Sequence, residues 1–359
     1  MITAFLAAVV SLTAVYVLFI FLCLRGFYKK KISLAPFAQP LTVVVAFRNE
    51  KNNIGRLIES LQKQTYPAYD ILLVDDHSTD LENYSFSPGI TVIKNKGNGK
   101  KQALITGCEH ATSDLVVFTD ADCVHSTSWL QSMADPLQDT KNGLVIGGVA
   151  PLSMKSFFAF DDLSLSASSV GAASSGLPFA CSGASMACRR NDFLEWQPYA
   201  ENLSQQSGDD VFLMNACLKN RLRVVSVYSP TSLVFHPPAG SLVDFFSQRM
   251  RWGQKTGFQS GPSFFIGLLV LFYSMILYAG LALCFINLKA ALICVFALTI
   301  GAIVNFLFLF LVSRQWKLTP SWALFVPAYI FHLGYIPWVA LLGKMIPVQW
   351  KGRRVKSRN

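Results

Sequence analysis

The sequence predicts an α/β domain, built on a mostly parallel sheet with helices on both faces and set between membrane-crossing segments. Three observations predict it. Short β-branched apolar runs alternate with helix-period runs between residues 41 and 240. Four apolar stretches free of Lys, Arg, Asp and Glu flank that region. Charge is scarce, at 14% of 359 residues, yet carboxylates gather in pairs directly after the apolar runs. Strands alternating with helices give a parallel sheet buried on both faces, which explains runs that are apolar throughout.

Residues 1–24 read as an N-terminal transmembrane anchor, since ~20 apolar residues span the ~30 Å hydrocarbon core as a helix. No Lys or Arg precedes Arg25, so the segment lacks the basic start of a secretory signal. Arg25, Lys29, Lys30 and Lys31 follow it, which places the region after the anchor in the cytoplasm. Within 41–240, residues 41–47, 71–74, 91–93 and 115–118 read as buried strands. Residues 51–64 carry a helical stripe of Ile54, Leu57, Ile58 and Leu61, and 102–110 also reads as helix. Ligands of such sheets sit at the carboxyl ends of the strands. Asn49-Glu50, Asp75-Asp76 and Asp120-Asp122 each follow a strand, so three acidic clusters converge on one edge.

Residues 241–260 change character. Leu242, Phe245, Phe246, Met250 and Trp252 recur near helical spacing with Arg249, Arg251 and Lys255 between them, the pattern of a basic amphipathic helix lying in the membrane interface. Residues 264–343 hold three more apolar segments, at 264–286, 290–312 and 321–343. The last contains Pro327, His332, Gly334 and Pro337, which predicts a broken or re-entrant segment. The basic tail 344–359 has no acid and belongs in the cytoplasm. That placement conflicts with three full crossings after residue 263, so the segment at 321–343 is expected not to cross fully.

The formal charge of +10 does not point to nucleic acid, because the cations cluster beside apolar segments, where anionic membrane lipids are the natural partner. The eight cysteines form no CxxC pair and no metal-ligand spacing with the five histidines, so they read as reduced packing residues.

Each charged cluster has a chemical and a purely structural reading. Asp120-Ala121-Asp122 offers oxygen ligands to Mg²⁺ or Mn²⁺, or else forms a solvated turn. Asp75-Asp76 can accept hydrogen bonds from a base or ribose within a sequence, Asp-Asp-His-Ser-Thr-Asp, that also favours turns. The segment 97–101, Gly-Asn-Gly-Lys-Lys, puts Lys100 at a helix start, a diphosphate site in kind, although it lacks the full Walker pattern. Gly208-Asp209-Asp210 opens a helix, so either Asp is a cap or one is a general base. Gln248-Arg249-Met250-Arg251-Trp252 can pair with phosphate and stack on a sugar or lipid acceptor, or only face the membrane.

Taken together and in order, these clusters resemble the membrane-bound family 2 glycosyltransferases of the GT-A fold, whose relatives include cellulose, hyaluronan and poly-N-acetylglucosamine synthases and lipid glycosyltransferases. Ala46-Phe47-Arg48-Asn49-Glu50, Gln64-Thr65-Tyr66-Pro67, the segments 99–104 and 182–187, and Trp350-Lys351-Gly352-Arg353 carry the same likeness. It covers residues 41–256, and the membrane segments match in kind only. The resemblance implies a Rossmann-like mixed sheet with Glu50, Asp75 and Asp76 around the base and ribose, Lys100 near the diphosphate and Asp120 near the ribose. It further implies Mg²⁺ or Mn²⁺ on Asp122 and Asp210 as catalytic base. Ser185, Asp209, Gln248, Arg251 and Trp252 are implied to meet the acceptor or leaving diphosphate. This chain departs from the family in having Asp209 where Glu is frequent and Ser185 where Asn is frequent.

The implied activity is inverting transfer by a hexosyl- or N-acetylhexosaminyltransferase. It moves a sugar from a nucleotide-diphosphate donor, UDP-linked by family habit, to a lipid or lipid-linked acceptor at the cytoplasmic face of the inner membrane. A processive polysaccharide synthase is the competing reading, and it requires an oligomer or partner subunit to complete a channel. A transporter is disfavoured, because the segments at 264–286 and 290–312 carry no charge, Asn305 being their clearest polar residue.

Overall fold

The structure, a computed structural model, describes residues 2–29, 36–82, 84–203, 205, 207–253 and 261–343, together with the backbone of 349–350 and 353–354. The chain enters through α1 (Ile2–Tyr28) and then builds β1 (Leu41–Phe47), α2 (Lys51–Gln62), β2 (Tyr69–Asp75), β3 (Ile90–Lys94), α3 (Lys100–His110) and β4 (Leu115–Asp120). There follow β5 (Val124–His125), α4 (Trp129–Ala134), β6 (Asn142–Gly147), β7 (Val149–Pro151), α5 (Ala159–Ser174), β8 (Met186–Arg189), α6 (Arg190–Trp196), α7 (Asp209–Lys219), β9 (Arg223–Val227) and β10 (Val234–His236). Four helices complete the described core: α8 (Leu242–Gly253), α9 (Pro262–Leu283), α10 (Leu288–Trp316) and α11 (Phe325–Leu342). Beyond them, β11 (Gln349–Trp350) pairs antiparallel with β12 (Arg353–Arg354).

The main sheet has the order β3-β2-β1-β4-β8-β6-β9. Neighbours pair in parallel except on either side of β8, which opposes both β4 and β6. The sheet is therefore mixed, with one reversed strand among parallel ones. Its central strands are apolar because both faces are covered: α2 and α4 pack on one, α3, α6 and α7 on the other. The register pairs Phe47 with Asp75 and Ala46 with Asp120, so three strands end level and their acids meet at one edge. A small sheet, β5-β10-β7, stands beside that edge.

Four helices are long and apolar enough to cross a membrane: α1, α9, α10, and α11 with the turn before it. Helix α1 is fastened to the α/β domain through α5. Gly26 and Gly171 let the two backbones touch, since a Cβ on either would overlap the other helix's main chain. Ser174 and Ser175 donate to the Gly26 and Leu22 carbonyls at 2.9 and 2.7 Å. The polar Asn305 is satisfied by Tyr16 and the Gly301 carbonyl, a packing role.

Helix α11 departs from expectation. Pro337 lies inside one continuous helix, and the predicted break is absent. The Tyr278 hydroxyl donates to the Gly334 carbonyl, in the turn where Pro337 removes a backbone donor. The helix also packs along α5 and α8 of the α/β domain. Phe325 meets Phe160 of α5, His332 and Tyr335 reach Asp161 of α5, and Val339 lies against Gly253 of α8. Lys30, Lys31, Lys255 and most of the basic tail lie outside the described residues.

Candidate active site

The acids at the sheet edge do not float in solvent; each is tied to backbone or to a cation. Asp76 accepts the Gly99 backbone N–H and the Asn95 amide, both at 2.8 Å, which pins the start of α3 to the end of β2. Gly99 adopts φ +90°, a conformation that glycine takes without the strain a side chain brings, and this turn delivers Lys100 into the site. Lys100 bridges Asp120 at 2.6 Å and Asp209 at 2.7 Å, joining β4 to α7. Burial works against its ammonium, but the two carboxylates outweigh burial and hold its pKa above the ordinary lysine value. Gly183 packs against this pair so tightly that a Cβ there would sit 2.7 Å from the Asp209 carboxylate and 2.8 Å from the Lys100 amine.

Asp122 lies beyond Asp120, where burial, and then the Asp120 charge, push its carboxyl above the ordinary range. His236, at the end of β10, lies close enough to oppose that rise. Its Nδ1 donates to the Pro237 carbonyl at 2.9 Å, and its Nε2 lies 3.8 Å from the Asp162 carboxylate. Asp210 sits in the first turn of α7, and its carboxylate accepts the Val211 N–H at 2.8 Å. Glu50 opens α2 and accepts the Asn53 amide at 2.7 Å.

These groups line one cavity of about 750 Å³. Glu50, Asp76, Lys100, Asp120, Asp122, Asp209, Asp210, Gln248, Arg251 and Trp252 all reach it, so ten of the twelve residues singled out from the sequence come together. Arg251 faces Asp120, Asp209, Asp210 and Asp122; burial nevertheless lowers its pKa. The other end of the cavity is apolar, lined by Phe19 and Ile20 of α1, Ile266 and Val270 of α9, and Ile336 of α11.

Two expected residues do not join. Ser185 is fully buried behind the site, where its hydroxyl accepts the Trp129 indole N–H at 2.9 Å and lies over the Met133 sulfur at 3.6 Å. It packs against Gly147 so closely that no side chain fits there, and it does not line the cavity. The Asp75 carboxylate turns back to accept the Ser78 N–H at 2.8 Å, closing the loop after β2, and it too stays out of the cavity lining.

Helix α8 leaves apolar side chains exposed and buries a cation. Leu242, Val243 and Phe246 are exposed, while Arg249 is 4% exposed and points inward. It donates to Asp161 at 2.7 Å and Asp162 at 2.6 Å, with its guanidinium between the Phe245 and Trp252 rings at 4.5 and 4.3 Å. Burial opposes the Asp161 charge, but Arg249 and His332 prevail and hold that carboxyl below the usual range. Asp161, Asp162, His236, Arg249 and His332 were not singled out from the sequence. The signal for the first two was available: Asp161-Asp162 is another adjacent acidic pair in a chain poor in charge.

Residues 42–191 match the family model Glycosyl transferase family 2. The chain is 29% identical over 126 residues to glycosyltransferase AglE of Haloferax volcanii, covering 33% of this chain and 40% of that protein. It is 35% identical over 89 residues to 4,4'-diaponeurosporenoate glycosyltransferase of Staphylococcus aureus, covering 23% and 24%. The matched stretches thus span well under half of those relatives. Among solved structures, the mannosyltransferase PcManGT of Pyrobaculum calidifontis, in complex with GDP-Man and Mn²⁺, superposes with a TM-score of 0.61 at 19% identity, covering 96% of this chain and 99% of that one. The fold is GT-A.

Proposed function

Since the chain carries a glycosyl transferase family 2 domain on a GT-A fold, we propose that it is an inverting transferase that moves one sugar from a nucleotide-diphosphate donor to a lipid or lipid-linked acceptor at the cytoplasmic membrane face. The observation that carries this reading is the single cavity with a carboxylate-lined end at the sheet edge and an apolar end among α1, α9 and α11. A growing polysaccharide needs a polar channel, and that apolar end suits a hydrocarbon chain better.

In this reading Glu50 and Asp76 hold the base and ribose, and Asp120 stands near the ribose. Lys100, fixed between two carboxylates, and Arg251 face the diphosphate. The donor set fits a divalent cation. Asp122 and Asp120 are crowded enough to disfavour two bare charges, and Asp122 is part-buried. Among the described residues no group of three or more His, Cys, Asp and Glu side chains is placed to hold a metal ion, so a cation here would take its remaining ligands from substrate phosphates and water. Asp122, with Asp120 beside it, would hold Mg²⁺ or Mn²⁺; when bound, the cation would neutralise charge on the diphosphate. Asp210 takes the proton from the acceptor hydroxyl as that oxygen attacks the anomeric carbon opposite the leaving group, which inverts its configuration.

The test is a donor screen with the purified, detergent-solubilised protein and Mn²⁺ or Mg²⁺. UDP- and GDP-sugars are offered with and without membrane lipid extract, and release of nucleoside diphosphate is read. One donor is expected to give lipid-dependent release. Release that continues into polymer would favour a synthase, and failure of every donor to bind would remove the transferase reading.

A further inference from the structure

Granting the transferase reading, we infer that the acceptor is an uncharged lipid with a free hydroxyl at its reacting end, and not a lipid phosphate or diphosphate. Two independent features of the cavity carry this. The first is charge. Among the described residues, the lining holds eight Asp and Glu side chains against four Lys and Arg. The cations are also engaged. Arg249 is shared between Asp161 and Asp162, Lys100 between Asp120 and Asp209, and Arg48 donates to the Asp76 and His77 carbonyls. Arg251 faces four carboxylates. A diphosphate donor with one divalent cation brings no net positive charge, so it leaves the acceptor side as acidic as before. A second phosphate placed there meets carboxylates at low dielectric, which is strongly unfavourable.

The second feature is the neutral polar surface. Helix N-termini are the usual backbone sites for phosphate. The first turn of α5 already carries Asp161 and Asp162, and the first turn of α7 carries Asp209 and Asp210. Between the acids and the apolar end, α5 presents serines; Ser166 accepts the Val149 N–H at 2.9 Å, while two others donate their hydroxyls to their own helix. Ser168 donates to the Ser164 carbonyl at 2.7 Å and Ser169 to the Leu165 carbonyl at 2.6 Å. With their protons spent, these oxygens offer acceptors to a hydroxyl but no donors to a phosphate. Beyond them the wall is apolar, as a hydrocarbon tail requires.

The chemistry is consistent with a base in this position. A neutral alcohol must lose its proton as it attacks. Its oxygen bonds the anomeric carbon, the bond from that carbon to the diphosphate oxygen breaks, and the electron pair leaves with the nucleoside diphosphate. The proton passes to Asp210. A phosphate oxyanion attacks without any base, so Asp210 would have no work with such an acceptor.

A matched pair of lipids decides it. Full-length protein in detergent is titrated with geranylgeraniol and with geranylgeranyl monophosphate, reading lipid binding directly and, with the donor found by the screen, release of nucleoside diphosphate. The alcohol is expected to bind at least about tenfold more tightly. Its glycosylation should disappear in Asp210→Asn. Tighter binding of the monophosphate, or its glycosylation by Asp210→Asn, would overturn the inference. Binding of neither lipid would also overturn it. Val270→Trp, which fills the apolar end, should weaken binding of the alcohol at least about tenfold while leaving donor binding unchanged; equal binding by that variant removes the lipid from this location. Donor binding alone tests the transferase reading, so the two can fail separately.

Discussion

The two ends of the cavity are held in opposite ways. At the sheet edge, side chains from the ends of β1, β2 and β4 and from the first turns of α3 and α7 are fixed by charge and by backbone hydrogen bonds, as in the Lys100 bridge and the grip of Asp76 on Gly99. Among the membrane helices, position is set by shape. Gly26 meets Gly171, and the Tyr16 and Tyr273 rings stack at 3.9 Å. The first arrangement is pre-organised for one geometry, because each buried charge is stable only with its partners in place. The second tolerates chains of differing length, because dispersion contacts are small individually and roughly interchangeable. The Arg249 cluster is the seam between them, tying α5, α8 and α11 into one unit.

The sharpest way to break this comparison is to remove chemistry from the charged end without disturbing either binding region. Asp210→Asn keeps the side chain's size and an oxygen for the Val211 N–H. It should lower kcat about 10²–10⁴-fold, the span typical of general-base removal. Donor and lipid affinities should change little, because the base acts only as the acceptor is deprotonated. Near-normal turnover would reduce Asp210 to a helix-capping residue.

The seam comes next. Arg249→Met leaves Asp161 and Asp162 buried without their cation, and removing one partner of a buried ion pair costs about 3–5 kcal/mol. The loss should appear as a lower Tm and a lower denaturant midpoint. It should be largely recovered when Asp161→Asn and Asp162→Asn are added, since neutral amides need no counter-ion. If the single variant keeps full stability, water must reach the cluster and the seam is not a closed unit.

What could be read from the sequence follows the same division. The charged end was legible because strand ends are marked by buried apolar runs and scarce carboxylates stand out after them; Glu50, Asp76, Asp120, Asp122 and Asp210 all reach the cavity. The seam was not. Periodicity says which positions of α8 share a face, but not that Arg249 is buried against acids of another helix. Its burial depends on Asp161 and Asp162, 88 and 87 residues away in sequence. Pro337 misled for a related reason, because its cost was judged on an isolated helix and not on one packed against α9 and the catalytic unit.

Ser185 supplies the smallest effect and the cleanest separation of site from support. Its position in a family motif suggested the acceptor, yet its hydroxyl serves Trp129 and its side chain fills the space beside Gly147. Ser185→Ala therefore removes one hydrogen bond and leaves the buried Trp129 N–H without that partner, which costs about 1–3 kcal/mol. The expected result is a modest fall in Tm with unchanged donor affinity, acceptor preference and kcat. A change in acceptor preference with stability intact would bring Ser185 into the acceptor end and require Trp129 to move. If stability and kinetics both hold, the Trp129 bond is of little consequence, and only the close fit against Gly147 fixes a small residue at this position.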